Sequence, residues 1–226
     1  MRQRKVRNLE EKISEHKRWL VEEASAVKGK WKDVFGNEND LILEIGAGKG
    51  QFLIKQAGIR PHLNYIGFEG RASVVLRGLQ KLEKEPLSNV RFACGFVNGP
   101  EELFSECEIA GIYLNFSDPW PKIRHAGRRL THRGFLSQYY KILKQEGFVE
   151  VKTDSRELYE FTEREAMEGA PGLFLITEST RDLHRSDFTA RNVTSEYEEK
   201  FIAARKSIYY IRLVKDIACK YGRQII

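Results

Sequence analysis

The chain predicts an α/β fold on a mostly parallel sheet, and three observations carry that prediction. Short apolar runs alternate with helix-length amphipathic stretches from Leu41 to about Phe161. A glycine-rich turn follows the first run and opens a helix, and the last two runs read as a closing antiparallel pair. The first strand is expected at 41–45, with a helix after Gly50. A second strand follows at 65–68, an amphipathic helix near 72–84 and a third strand at 90–94. The fourth, 112–116, is apolar and aromatic and leads into Asp118. A helix at 134–144 precedes a fifth strand at 147–152, after which Asp154 or Ser155 is placed to cap the next helix. Runs at 173–176 and 208–213 complete a seven-stranded sheet, and the polar segment 184–200 between them is long enough to be functional.

A length of 226 residues suits one sizeable domain. We divide it into a basic N-terminal extension, 1–30, with a helical stretch, and a main domain, 31–226. Hydrophobic content of 41% with 31% charged residues is that of a soluble globular protein. No apolar run approaches the roughly 18 residues of a membrane span, and the basic start runs into Glu10 and Glu11 without an apolar export stretch. A cytoplasmic protein without a membrane segment is expected. Cys94, Cys107 and Cys219 form no CxxC pair, and no metal site is expected. Net charge of +6 points to a polyanionic partner, and its distribution matters more than its sum. Arg2, Arg4, Lys5 and Arg7 form one group, while Lys122, Arg124, Arg128, Arg129 and Arg133 form another.

The second group adjoins Asn115-Phe116-Ser117-Asp118-Pro119-Trp120-Pro121-Lys122. Each proline fixes its own φ and pushes the residue before it towards an extended conformation, so Asp118 and Trp120 are expected to be extended and held. Asp118 then projects from the carboxyl end of a strand, the edge where open α/β sheets bind ligands. Lys122, Arg124, Arg128 and Arg129 beside it suit phosphate groups.

The turn Glu44-Ile45-Gly46-Ala47-Gly48-Lys49-Gly50 lets a ligand approach the backbone closely at Gly46, Gly48 and Gly50. A dinucleotide fingerprint would carry glycine or alanine where Gln51 stands, which argues against a nicotinamide or flavin cofactor. Glu44 would sit badly beside a pyrophosphate but suits a ligand with ammonium and sulfonium charge. Glu69, at the end of the second strand, is placed to accept both ribose hydroxyls. Together these favour S-adenosylmethionine.

With these motifs in order, followed by Arg128-Arg129-Leu130-Thr131, Lys152-Thr153-Asp154 and Glu196-Tyr197-Glu198-Glu199-Lys200-Phe201, the chain resembles the bacterial tRNA (guanine-N7-)-methyltransferase family over about residues 28–215. The resemblance implies a Rossmann-like class I S-adenosylmethionine-dependent methyltransferase domain whose acceptor is a guanine in the tRNA variable loop. It also implies cofactor contacts from Glu44, Glu69 and Asp118, with Asp118 as the active-site residue. Lys122, Asp154 and the stretch holding Thr194, Ser195 and Glu198 match the family's substrate contacts.

This chain departs from the family pattern in three places. Phe96 stands where the family carries an acidic residue for the adenine edge, leaving an apolar wall or Asn98 to hold the base. Ser195, with Thr194 beside it, replaces a threonine. The stretch 122–128 is less cationic. Guanine N7 in the neutral base has a lone pair and no proton, so no general base is expected, and positioning and electrostatics must carry the rate. An RNA-binding module without catalysis would not need Glu44, Glu69 and the glycine turn. A methyltransferase acting on protein or a small molecule would leave the cation cluster without a role. A monomer and a homodimer fit the sequence equally.

Overall fold

The computed structural model describes residues 6–216. Arg2, Arg4, Lys5 and Cys219 lie outside the described residues. The chain opens with α1 (Leu9–Ser14), β1 (Leu20–Val21) and α2 (Trp31–Phe35). The alternating units follow as β2 (Asp40–Ile45), α3 (Gln51–Ile59), β3 (Leu63–Glu69), α4 (Ala72–Lys84), β4 (Val90–Cys94), α5 (Pro100–Leu103) and β5 (Ile109–Asn115). Then come α6 (Arg133–Ile142), β6 (Leu143–Thr153), α7 (Arg156–Arg164), β7 (Phe174–Thr180), α8 (Glu196–Ala203) and β8 (Tyr209–Lys215).

The sheet has the order β1-β4-β3-β2-β5-β6-β8-β7. All pairs are parallel except β6–β8 and β8–β7, the antiparallel closing pair that the sequence predicts. Eight strands stand where seven are expected. The extra one is β1, whose Leu20 and Val21 pair with Phe92 and Ala93. Two residues are too short for any periodicity to show, and buried Trp19, whose indole N–H donates to the Leu87 carbonyl at 2.9 Å, fixes them there. The predicted helix 134–144 also ends early, at Ile142. Leu143 already pairs with Ile109, and the register slips before Phe148 meets Gly111, so a bulge occupies the expected gap.

Each parallel strand is buried on both faces, and alternate residues divide between two cores. Leu43, Ile45, Ile112, Leu114, Val149 and Val151 meet Leu136, Tyr139 and Tyr159 of α6 and α7. Ile42, Tyr65, Phe92 and Tyr113 meet Phe52, Leu53, Leu79 and Leu82 of α3 and α4. From β2 the chain runs one way to β3 and β4 and the other way to β5 and β6. The crevice between the carboxyl ends of β2 and β5 is therefore the topological switch point, where ligands of open α/β sheets bind. No helix among the described residues is long and apolar enough to cross a membrane.

Candidate active site

A cleft of about 950 Å³ lies over that switch point. One end begins at the glycine turn, where Gly46 (φ 81°) and Gly48 (φ 57°) adopt left-handed backbone and their missing side chains would point into open space. The Gly46 and Ala47 N–H groups donate to the Phe68 carbonyl at 2.8 and 2.9 Å, tying the turn to β3. Gly50 caps α3 from beneath, and a Cβ there would meet the Phe92 ring at 2.4 Å. Of the three glycines, Gly46 and Gly48 line the cleft and Gly50 packs against the core.

Glu44 lies one residue before the end of β2 at 2% exposure. Its Oε1 accepts from Asn115 Nδ2 at 2.8 Å, while Oε2, equally buried, has no hydrogen-bond partner among the described residues. Burial pushes its carboxyl up to about 8, against the Asn115 hydrogen bond and the nearby Lys152 charge. A cation brought in by a ligand beside Oε2 would pull that value down again and favour the charged carboxylate. Glu69 is held by backbone on both sides: Oε2 accepts from Gly48 N–H at 3.2 Å and Oε1 from Arg71 N–H at 3.0 Å. Beyond it Phe96 is 74% exposed on the cleft wall and packs over Gly70, with Val97 and Asn98 beside it. The wall holds both the apolar surface and the amide that the sequence leaves as alternatives for an adenine.

The other end is the loop after β5. Asp118 is exposed on the cleft, with Phe116, Ser117 and Trp120. Trp120 is not extended as its proline neighbour predicts: its φ is 42°, and Phe116 has φ 54°. Left-handed backbone at bulky residues costs energy, and the surrounding contacts hold it. The Arg129 guanidinium is buried and donates to the Pro119 carbonyl (2.9 Å), the Trp120 carbonyl (3.0 Å) and Glu157 Oε1 (2.7 Å). Arg129, read from sequence as a phosphate contact, is here the brace of the loop. Arg128 lies 5.0 Å over the Trp120 ring and lines the cleft, whereas Lys122 and Arg124 are exposed on the turn outside it. His132 caps α6, its Nδ1 accepting from Gly134 N–H at 3.1 Å.

Ser195 and the start of α8 close the cleft from the far side. Ser195, Glu196, Tyr197 and Lys200 line it, and the Tyr197 ring stacks on Phe116 at 6.3 Å. Ser195 and Glu198 form a capping box at the start of α8, an arrangement the S-x-x-E spacing could have announced. Glu198 is fully buried and faces Lys152, away from the cleft. Thr194 lies outside the cleft, within 3.4 Å of Lys55 Nζ. Asp154 is exposed after β6, and Ser155 makes the helix cap, accepting from Leu158 N–H at 3.2 Å. Sequence reasoning missed Asn115, whose amide meets Glu44, and Lys152, whose ammonium is buried. Among the described residues no group of three acidic, His or Cys side chains could hold a metal ion.

The sheet order, the switch-point cleft, its carboxylates Glu44 and Glu69 and the matching family model define a Rossmann-like methyltransferase of the S-adenosylmethionine-dependent class. Solved structures of the same fold include an antibiotic-related methyltransferase (TM-score 0.60, 20% identity, covering 84% of this chain and 94% of that one). A 16S rRNA methyltransferase, KamB, is another (TM-score 0.62, 10% identity, 83% and 93% covered). The family described as "Putative methyltransferase" matches residues 38–211. The tRNA (guanine-N(7)-)-methyltransferase of Limosilactobacillus reuteri is 42% identical over 198 residues, 87% of this chain and 91% of its own. That of Alkaliphilus oremlandii is 42% identical over 210 residues, 92% and 97% of the two chains. This chain belongs to the tRNA (guanine-N(7)-)-methyltransferase family.

Proposed function

We propose that the protein transfers a methyl group from S-adenosylmethionine to N7 of a guanine in the variable loop of tRNA. One observation carries the reading: a single cleft runs from a buried carboxylate oxygen without a partner, Glu44 Oε2, to an exposed carboxylate, Asp118, beside a basic turn. The donor's ammonium suits Glu44, its ribose hydroxyls Glu69, and its adenine the wall of Phe96, Val97 and Asn98, with Gly46, Gly48 and Asp118 completing the contact. When bound, the donor supplies a methyl group made electrophilic by its sulfonium sulfur.

The chain's own task is then placement. Guanine N7 needs no proton removed, so Asp118 acts by accepting hydrogen bonds from the base's N1 and N2 donors and fixing its orientation. Tyr197 offers a stacking face at the cleft wall. Positive charge moves onto the base during transfer, and Asp118 and Asp154 stabilise it. Lys122, Arg124 and Arg128 hold tRNA phosphates from the turn, Thr194 and Ser195 approach from the opposite side, and base identity is read at the carboxylate. A tRNA substrate places the reaction in the cytoplasm. Residues 31–226 form the catalytic domain, β1 of the 1–30 extension joins its sheet, and the basic tail Arg2–Arg18 contacts tRNA.

Incubating the protein with unmodified tRNA and methyl-labelled donor, then digesting to nucleosides, is expected to yield 7-methylguanosine. Strand cleavage at the methylated base should map it to the variable loop. Label in any other nucleoside overturns the reading.

A further inference from the structure

The chemistry above leaves the Lys152 ammonium without a role, although it is one of the most deeply buried charges in the molecule. Lys152 lies one residue before the end of β6 at 3% exposure, beside Glu198 at 0%. Its Nζ donates to Asn192 Oδ1, to the Val193 carbonyl at 2.8 Å and to Glu198 Oε2 at 3.1 Å, and sits 4.9 Å from the Phe52 ring centroid. All three acceptors come from one stretch, 192–198. That stretch is closed on itself: Glu198 N–H donates to Ser195 Oγ at 3.2 Å, and Asn192 Nδ2 donates to Glu198 Oε1. His184 Nε2 lies 3.2 Å from the same Oε1. One cation on a rigid strand thus sets the place of the residues that carry Ser195 and Tyr197 to the cleft wall.

We propose that Lys152 is a positioning residue for the acceptor: it holds 192–198 across the cleft so that Ser195 and Tyr197 meet the tRNA. Glu198 serves as its counter-ion and as half of the cap, and does not touch the substrate. The inference rests on reading the cleft as a tRNA methylation site. A buried ion pair is a poor source of stability compared with apolar packing of the same volume, but its acceptors must converge from set directions. It therefore specifies the register of the segment. The outer contacts cannot do the same. Glu196 meets Lys49 and Lys81, and Glu199 meets Lys55 and Gln51, through half-exposed side chains that solvent and salt weaken.

The test compares full-length wild type, Lys152→Met and the double variant Lys152→Met/Glu198→Leu, which leaves neither charge buried. For Lys152→Met, kcat/KM for tRNA should fall tenfold or more, the KM for tRNA should change more than that for the donor, and protease should cut within 183–195. The double variant should regain melting temperature yet keep the tRNA defect and the cleavage. If the double variant recovers tRNA kcat/KM together with its melting temperature, the pair is only structural and the proposal fails; wild-type rates in Lys152→Met overturn it too. Should Lys152→Met fail to fold, the double variant carries the test alone. Wild type that methylates no tRNA would defeat the functional reading, while cleavage at 183–195 would still judge the pin.

Discussion

At the donor end of the cleft, Glu44 and Glu69 stand on adjacent parallel strands and are fixed by an amide and by backbone N–H groups. At the acceptor end, Asp118, Lys122 and Arg124 are exposed on a turn, and the opposite wall comes from a segment far along the chain. The donor half is the more enclosed: Glu44 is buried and Glu69 is held by backbone, with Phe96 exposed on the wall beside them. The acceptor half is braced from behind, by Arg129 and by Lys152, and left open in front. A small donor can be enclosed by strand ends alone, whereas a large polyanion needs a surface. The structure therefore spends its buried ionic contacts on holding that surface in place.

The sharpest way to break this comparison is Asp118→Ala. Methylation of tRNA should fall by about 10²- to 10³-fold, as when one aimed electrostatic group is lost from an active site, with tRNA affinity largely kept. Labelled-methyl incorporation measures it, and a wild-type rate would remove Asp118 from the chemistry.

Glu44→Gln should weaken donor binding by about tenfold to a hundredfold, the scale of one lost hydrogen bond to a charged group, and leave tRNA binding unchanged. Calorimetric titration separates the two. The same variant tests the buried carboxyl directly. In the fold Glu44 keeps its proton up to about 8, whereas unfolded it loses it near 4.5, so between these values the native state binds more protons and stability falls as pH rises. Denaturant unfolding across that window should show a flatter decline in Glu44→Gln than in wild type.

Salt separates the two ends next. Affinity for tRNA should fall steeply with ionic strength, and each of Lys122→Ala and Arg128→Ala should reduce the slope of log K against log salt by about one. Donor binding should be nearly flat, and an equally steep donor response would erase the distinction. The smallest effect is expected for Arg129→Met. Stranding the Pro119 and Trp120 carbonyls should cost about 1–3 kcal/mol of stability, read from the denaturation midpoint, with only a several-fold loss of rate.

Much of the donor half could be read from the chain. The run 41–45, the glycine turn and Glu69 lie within one local βαβ unit, where alternating burial and turn chemistry leave a direct mark on composition. Asp118 was readable for the same reason, as a carboxylate at a strand end beside prolines. The acceptor wall was readable only in part. Ser195 reaches the cleft as its motif implies, but Glu198 three residues on is buried against Lys152, a partner that only the fold supplies. Arg129 looked like its cationic neighbours, and only its burial distinguishes a brace from a phosphate contact. The two-residue β1 left no periodic signal at all.

The sequence by itself determined the alternating α/β units, the glycine turn and the places of Glu44 and Glu69 near strand ends, since periodicity and turn chemistry are local. The tertiary structure alone decided that Asn115 meets Glu44, that Trp120 takes a left-handed backbone, and that Lys152 turns its charge inward to Glu198. These follow from partners many residues away. What a buried polar group does is set by whichever partner the fold brings within hydrogen-bonding reach, and only the folded chain supplies that partner.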